Sequence, residues 1–495
     1  MHRSGSHWLS TPPRLRTQVA LATGLTLLLA GCAGRTGAPV TAQTAAPATA
    51  APTAGAACQS PAAATGSLAG TPVTDPLVTF DSAWAIVART HWDTTYNGVN
   101  WRGVRDELRP KAAAARTTGE LRVVLSDMVG RLKQSHFSII PRESSDGATA
   151  STASASASAG RTPGTTGMTL RLVDGSLLVT AVDPDSRAAL AGVKPGWTLE
   201  AVGGCALAPR LSAIPADVDP RRRALLGYSI GAGVLAGAAG DTVRAVFRDG
   251  ANAPRALAIV RGPERGTIAK FGNLPPLPSH LEFERVKQGD RTVGVIRFNI
   301  WMPVLAPQFD AAIDSLRDAD AIVLDIRGNF GGVGIMAAGF GGHFVDSART
   351  IGTMHQRSGP MKFIANPRTV DTRARPVAPF SGPLAVVVDE LSISTSEIFA
   401  AGIKDLGRGR IFGTQTAGQA LPSVPERLPN GDILYHAIAD FTSPSGKPVE
   451  GDGVRPDVVS PVTRKALLEG KDPALDAAVA WAAASATAKR KAFPQ

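Results

Sequence analysis

Leu384-Ala-Val-Val-Val-Asp-Glu-Leu-Ser-Ile-Ser-Thr-Ser-Glu-Ile-Phe-Ala400 decides the fold. Leu384 to Val388 has the length and β-branched content of a strand buried on both faces, and Glu397 to Leu406 carries apolar residues at helical spacing. A strand running into a helix across a hydroxyl-rich hinge is the elementary unit of an α/β sheet. The hydroxyls of Ser392, Ser394, Thr395 and Ser396 fall at the helix N-terminus, where unpaired backbone N–H groups can stabilise a developing oxyanion. Ser and Thr also cap helices with no chemistry attached, so the neighbouring segments decide between the two readings.

Working outward, Thr292 to Phe298, Ala321 to Asp325 and Arg410 to Gly413 are further strand candidates, separated by helices such as Pro307 to Leu316. Asp325-Ile-Arg-Gly-Asn-Phe-Gly-Gly332 follows a buried strand, and Glu450-Gly-Asp-Gly-Val-Arg-Pro-Asp457 lies near the end of the core. The glycine loop lacks a following Gly-Lys-Ser/Thr and does not have dinucleotide-fingerprint spacing, which argues against nucleotide binding.

These segments, in this order, resemble the S41 peptidase family, the C-terminal-processing and tricorn-type serine proteases, from about Pro76 to about Leu467. The resemblance implies an α/β catalytic core with an N-terminal helical segment and an inserted PDZ-like, β-rich domain. It puts the nucleophile at Ser394, the first serine of Ser394-Thr-Ser-Glu397, and leaves Ser392 and Ser396 as capping neighbours. The C-terminal-processing branch uses a lysine general base where this chain has Thr416-Ala-Gly-Gln419, and Gln419 cannot take a proton. The tricorn-like branch uses histidine from a distant Ser-His segment. Here that is Leu132-Lys-Gln-Ser-His-Phe-Ser138, making His136 the base, Ser135 its supporting hydroxyl and Glu450 the orienting carboxylate, with Asp452 as the alternative. His436 is the competing base nearest in sequence to the core. For the oxyanion hole the expected donors are the N–H of Thr395 and that of Gly331 or Gly332, where glycine permits close approach of a carbonyl. No metal or organic cofactor is required.

The resemblance also sets the domain plan. Residues 76–142 read as a helical segment, with Phe80, Trp84, Val87 and Ala88 on one face and Leu121, Val124, Leu125, Met128 and Leu132 on another. Residues 143–164 are a Ser/Ala/Thr/Gly-rich flexible insert. Residues 165–263 are similar to a circularly permuted bacterial PDZ domain, with Gly167-Met-Thr-Leu170 as its carboxylate-binding loop and a groove for an extended peptide. Residues 264–290 connect to the core, 291–465, and an alanine-rich helix closes the chain in 466–495.

Upstream, Arg14 and Arg16 precede the apolar run Val19 to Ala30, too short for a membrane span and ending at Leu29-Ala-Gly-Cys32. This is similar to a bacterial lipobox, implying cleavage after residue 31 and lipid on Cys32. The alternative is an ordinary signal peptide. Ala33 favours the outer membrane. The Ala/Thr/Pro-rich stretch 32–75 reads as a disordered tether. Beyond Cys32 the chain holds only Cys58 and Cys205, expected to be unpaired or weakly coupled.

The formal charge is +11, and removing Arg3, Arg14 and Arg16 with the signal leaves +8. The basic residues show no aromatic interleave, which argues against nucleic-acid recognition. The expected partners are polypeptides at the site and a bacterial membrane through the lipid. The expected function is a lipid-anchored serine endopeptidase of unstructured polypeptides or protein C-termini. The alternatives are a non-catalytic binding protein on the same scaffold and an esterase or amidase.

Overall fold

A computed structural model describes residues 71–145 and 162–492. The expected signal peptide, Cys32, nearly all of the tether and most of the Ser/Ala-rich insert lie outside the described residues. Among the described residues no helix is long and apolar enough to cross a membrane.

Three helices open the described chain: α1 (Pro76–Thr90), α2 (Trp101–Ala114) and α3 (Thr118–Gly130). Local chemistry starts each one. Asp75 accepts the Val78 N–H ahead of Pro76, Asn100 accepts the Gly103 N–H, and Thr117 and Glu120 form a reciprocal capping box. Phe80, Leu108, Leu121, Leu125 and Met128 are fully buried between the helices. Trp84 and Trp101 are tied crosswise, each indole N–H donating to the other's backbone carbonyl, at 2.9 and 3.2 Å. The aromatic segment therefore serves as packing. Past α3 the chain turns through Lys133 and His136, both at positive φ, into β1 (Ser138–Ile140).

The β-rich unit is an antiparallel sheet of β2 (Met168–Val173), β3 (Ser176–Val182), β4 (Thr198–Val202), β5 (Thr242–Arg248) and β6 (Pro254–Val260), in that spatial order. Its helix α4 (Pro220–Leu235) lies directly on β2. Gly227 and Gly231 make this possible: a Cβ at Gly227 would fall 2.7 Å from Leu172 Cβ, and one at Gly231 3.1 Å from Leu170 Cδ1. Cys205, in the short strand Cys205–Ala206 next to β4, is disulfide-bonded. This corrects the expectation that Cys205 is unpaired or weakly coupled.

The core sheet runs β7 (Leu281–Gln288), β8 (Arg291–Phe298), β9 (Ala321–Asp325), β10 (Leu384–Val388), β11 (Arg410–Gly413) and β12 (Val458–Val459). Only the β7–β8 pair is antiparallel. Every residue of β9 and β10 is buried, as continuous apolar runs in a parallel sheet require. Ile322, Leu324, Val386 and Val388 face the helices α5 (Ala306–Ser315) and α6 (Thr395–Asp405) together with Phe309 and Phe399. Ala321, Val323, Ala385 and Val387 face the other way, onto Ala478 and Ala482 of α7 (Pro473–Ala492). The small side chains on α7 let the closing helix lie flat on the sheet.

The helical segment is joined to the core by a strand pairing and an ion pair. β1 pairs antiparallel with the strand Ile433–Ala437, Ser138 opposite Tyr435. Arg122 of α3 grips the fully buried carboxylate of Asp432 at 2.6 and 2.9 Å, and the Arg142 N–H donates to the same group at 3.0 Å. Asp432→Ala removes this carboxylate and leaves Arg122 with only Glu143 as its ion-pair partner among the described residues, so stability to urea should fall by about 1.5–3 kcal/mol with the helical segment loosened.

Candidate active site

Ser394 is the N-cap of α6 and has φ 59° and ψ −117°, a conformation that residues with a Cβ rarely adopt. Of the ten residues from Leu391 to Ala400 it alone is not buried. Its N–H donates to the Gln419 carbonyl at 2.9 Å and to Glu397 Oε2 at 3.1 Å. Its neighbours are not caps, contrary to the expectation for them. The Ser396 hydroxyl accepts from the Trp301 indole N–H and donates to the Asn329 carbonyl, both at 2.9 Å. The Ser392 hydroxyl donates to the Ile326 carbonyl at 2.8 Å. Each thereby ties the helix entrance to the loop that follows β9.

That loop lies against the serine. A Cβ on Gly331 would sit 2.6 Å from Ser394 Cβ, and one on Gly332 2.3 Å from the Trp301 carbonyl oxygen. The Gly331 N–H is taken by Asn329 Oδ1 at 3.0 Å. Among the described residues the N–H groups of Gly332 and Thr395 have no such partner. The Thr395 hydroxyl donates to the Gly332 carbonyl at 3.0 Å, holding the two segments in register. Of the two glycine donors anticipated from sequence, Gly332 is the one with an open N–H.

The third group arrives from the helical segment. Glu450 accepts the Ser135 N–H at 3.1 Å, the Ser135 hydroxyl at 2.9 Å and the Ala420 N–H at 2.8 Å. Ser135 Oγ also lies 2.7 Å from His136 Nδ1. The hydroxyl has one proton, committed to the carboxylate, so it accepts from Nδ1–H and leaves Nε2 free of a proton. The imidazole also approaches Tyr435, with ring centroids 5.8 Å apart. Although residue His136 keeps intermediate exposure, protein surrounds its ring, and desolvation pushes its pKa down to about 4. Burial also raises Glu450, against the pull of its donors. Gln419 and Ala420 link the groups: one carbonyl holds Ser394, and the next N–H holds Glu450. Among the described residues no hydrogen bond joins His136 to Ser394. Such bonds are often long in unliganded sites and tighten with substrate.

Glu450 hydrogen-bonds Ser135 and not the histidine, so the Ser135 hydroxyl stands between the expected carboxylate and the imidazole. Asp452 is exposed and offers its backbone carbonyl to Arg221 and Gln415. His436 is fully buried on the opposite face of its strand from Tyr435, with Nδ1 3.3 Å from the Thr90 hydroxyl and Nε2 3.4 Å from Glu426. It is not in the site. Among the described residues no cluster of His, Cys, Asp and Glu has the arrangement to hold a metal ion.

Gly167 to Leu170 lie at and just before the start of β2 in the β-rich unit. The Gly167 N–H donates to the Thr165 hydroxyl at 3.0 Å, Met168 and Thr169 pair with Val182 and Ala181, and Leu170 is buried under α4. Other residues of this unit do reach the site, and sequence reading missed them. Arg171 donates to Asp389 at 2.8 Å, and Asp389 in turn holds the N–H groups of Gly328 and Leu391. Arg221 spans the Thr416, Gly451 and Asp452 carbonyls, and the Tyr228 ring lies 5.2 Å from that of Phe330. Neither arginine has a local sequence signature. Glu397 was also missed as a site residue, although a hydroxyl three residues before a glutamate at a helix start is a legible capping signal.

Residues 292–460 match Peptidase family S41, and residues 72–130 match the Tricorn protease C1 domain. A probable CtpA-like serine protease of Staphylococcus aureus is 24% identical over 197 residues, 39% of this chain and 38% of that protein. Tricorn protease homolog 1 of Streptomyces coelicolor is 26% identical over 424 residues, 82% of this chain and 35% of that protein. The chain thus spans well under half the length of both relatives. The solved photosystem II D1 C-terminal processing protease shares the fold, with a TM-score of 0.52 and 20% identity over 83% of this chain and 98% of that one. The S41 match covers the core sheet from β8 onward and the loops around Ser394, and the tricorn match covers the helices that lead to His136, so over these segments the chain is similar to peptidase family S41.

Proposed function

We propose that this protein is a serine endopeptidase that cleaves extended polypeptides through an acyl-enzyme, with tricorn-like chemistry. The observation that carries the reading is the hydrogen-bonded path from Glu450 through the Ser135 hydroxyl to His136 Nδ1, built beside a serine held at φ 59° on a helix N-terminus. In this reading Ser394 Oγ attacks the scissile carbonyl carbon while His136 Nε2 takes its proton. The oxyanion forms against the N–H groups of Gly332 and Thr395, at the positive end of α6. The C–N bond then breaks, the imidazolium returns its proton to the leaving amine, and water activated by the same histidine releases the acyl group. Glu450 favours the imidazolium through Ser135. Phe330 and Ile335, exposed on the glycine loop, offer apolar surface to the substrate chain.

The β-rich unit, read as PDZ-like, completes the site through Arg171, Arg221 and Tyr228. Protein C-termini and unstructured segments are the substrates such a cleft would favour. The Cys32 lipid would hold the enzyme at the bacterial envelope, at the outer membrane by preference. Cys32→Ala should release the full-length protein from the membrane fraction into the soluble one, and retention of the variant in membranes would remove the lipid anchor from this reading.

Labelling of the full chain by a fluorophosphonate tests the chemistry. Wild type should label. Ser394→Ala should abolish labelling, His136→Ala should slow it by about 10⁴-fold, and Ser135→Ala, which frees the imidazole to turn, by about 10²-fold. A folded wild type that stays unlabelled at every pH between 5 and 9 would overturn the assignment.

A further inference from the structure

Glu397 is fully buried, and its two oxygens accept from four donors: Thr416 Oγ1 and the Gly418 N–H at 2.6 Å, the Gln419 N–H at 2.9 Å and the Ser394 N–H at 3.1 Å. None of the three amides can accept a proton. Thr416 Oγ1 is already an acceptor for the Val454 N–H at 2.7 Å, so its proton has no other direction than Glu397. A protonated Glu397 would bring a fifth hydrogen into a shell built of donors, and at least one of these bonds would have to break.

The four donors belong to the two segments that define the site. Ser394 N–H is the backbone of the nucleophile. Gln419 supplies the carbonyl that holds the same N–H, and the adjoining Ala420 N–H binds Glu450. One carboxylate therefore sets the backbone of Ser394 and the strip that joins it to the Glu450–Ser135–His136 path.

We propose that Glu397 is a positioning residue, whose ionised form keeps Ser394 in its reactive backbone conformation and whose protonation releases the loop 416–420 and shuts the enzyme down on the acid side. This deepens the serine-peptidase reading above and rests on it. Desolvation, working against the four donors, pushes the Glu397 pKa up to about 7. His136, at about 4, would still be unprotonated and competent well below that point. Among the described residues no charged side chain hydrogen-bonds Glu397. The charged groups on the elements packed around it are Arg221, over Gly418; Glu450, on Ala420; His136, through Ser135; and Asp389 and Glu390, in the turn after β10. The signs of activity and stability are opposed. A carboxyl whose pKa rises on folding contributes stability below its unfolded value and loses it as pH rises through about 7, while activity increases across the same interval.

The rate of fluorophosphonate labelling of the full chain, followed from pH 4 to 9, tests this. Wild type should show an acid limb near 7. Glu397→Gln places an N–H₂ among donors and should slow labelling at pH 8 by about 10²-fold, the cost of roughly 1 Å of misplacement. Its residual rate should no longer change near pH 7. Thr416→Val removes one donor to the carboxylate and should move the acid limb up by about one pH unit, whereas Thr416→Ser should leave it in place; this pair decides the matter if Glu397→Gln does not fold. A Glu397→Gln protein with the wild-type limb, or Thr416 variants with unmoved limbs, overturns the proposal while wild-type labelling keeps the peptidase reading. An unlabelled wild type overturns both.

Discussion

The structure depends on holding one serine in a backbone conformation that its side chain disfavours. At φ 59° and ψ −117°, Ser394 carries strain on the order of 1–3 kcal/mol, which the surroundings must offset. They do so through the backbone. Gln419 and Glu397 take its N–H, Gly331 fills the space beside its Cβ with no side chain of its own, and the Ser396 hydroxyl bolts the first turn of α6 to Trp301 and Asn329. The result is a half-buried serine on a rigid, otherwise buried segment, an arrangement suited to nucleophilic attack.

The proposed base comes from far away in the chain. Ser135 and Glu450 are 315 residues apart, and their contact exists only because β1 pairs with Ile433–Ala437 and Arg122 grips Asp432. The β-rich unit adds Arg171 beneath the turn at Asp389 and Arg221 across the carbonyls next to Glu450. Three stretches of chain thus share one centre. Loosening any of them would disturb positioning before it disturbed the core sheet, whose strands are buried on both faces by their own apolar runs.

How much of this was legible in the sequence divides along the same line. Ala321–Asp325, Leu384–Val388 and Arg410–Gly413 are strands with the bounds their apolar content suggested, and Ser394 stands at the helix entrance where the hydroxyl cluster put it. Local pattern suffices when the determinant is local. It does not suffice for contacts made by backbone atoms or across units. The Gln419 carbonyl and Ala420 N–H could belong to any residue types, so nothing marks them. Ser392 and Ser396 resembled caps because their true partners, the Ile326 and Asn329 carbonyls, are set by tertiary packing. The resemblance named Ser135 and Glu450 together with His136, but the place of the hydroxyl between the carboxylate and the imidazole was visible only in three dimensions.

The central claim is that Glu450, Ser135 and His136 act as one path on Ser394. A double-mutant cycle on the fluorophosphonate labelling rate, with Ser135→Ala and Glu450→Gln alone and together, addresses it directly. If the carboxylate works through the hydroxyl, either change breaks the path, and the combined variant should be no slower than the slower single one. If the two losses multiply, Glu450 and Ser135 act independently, and the path described here is not how the site works.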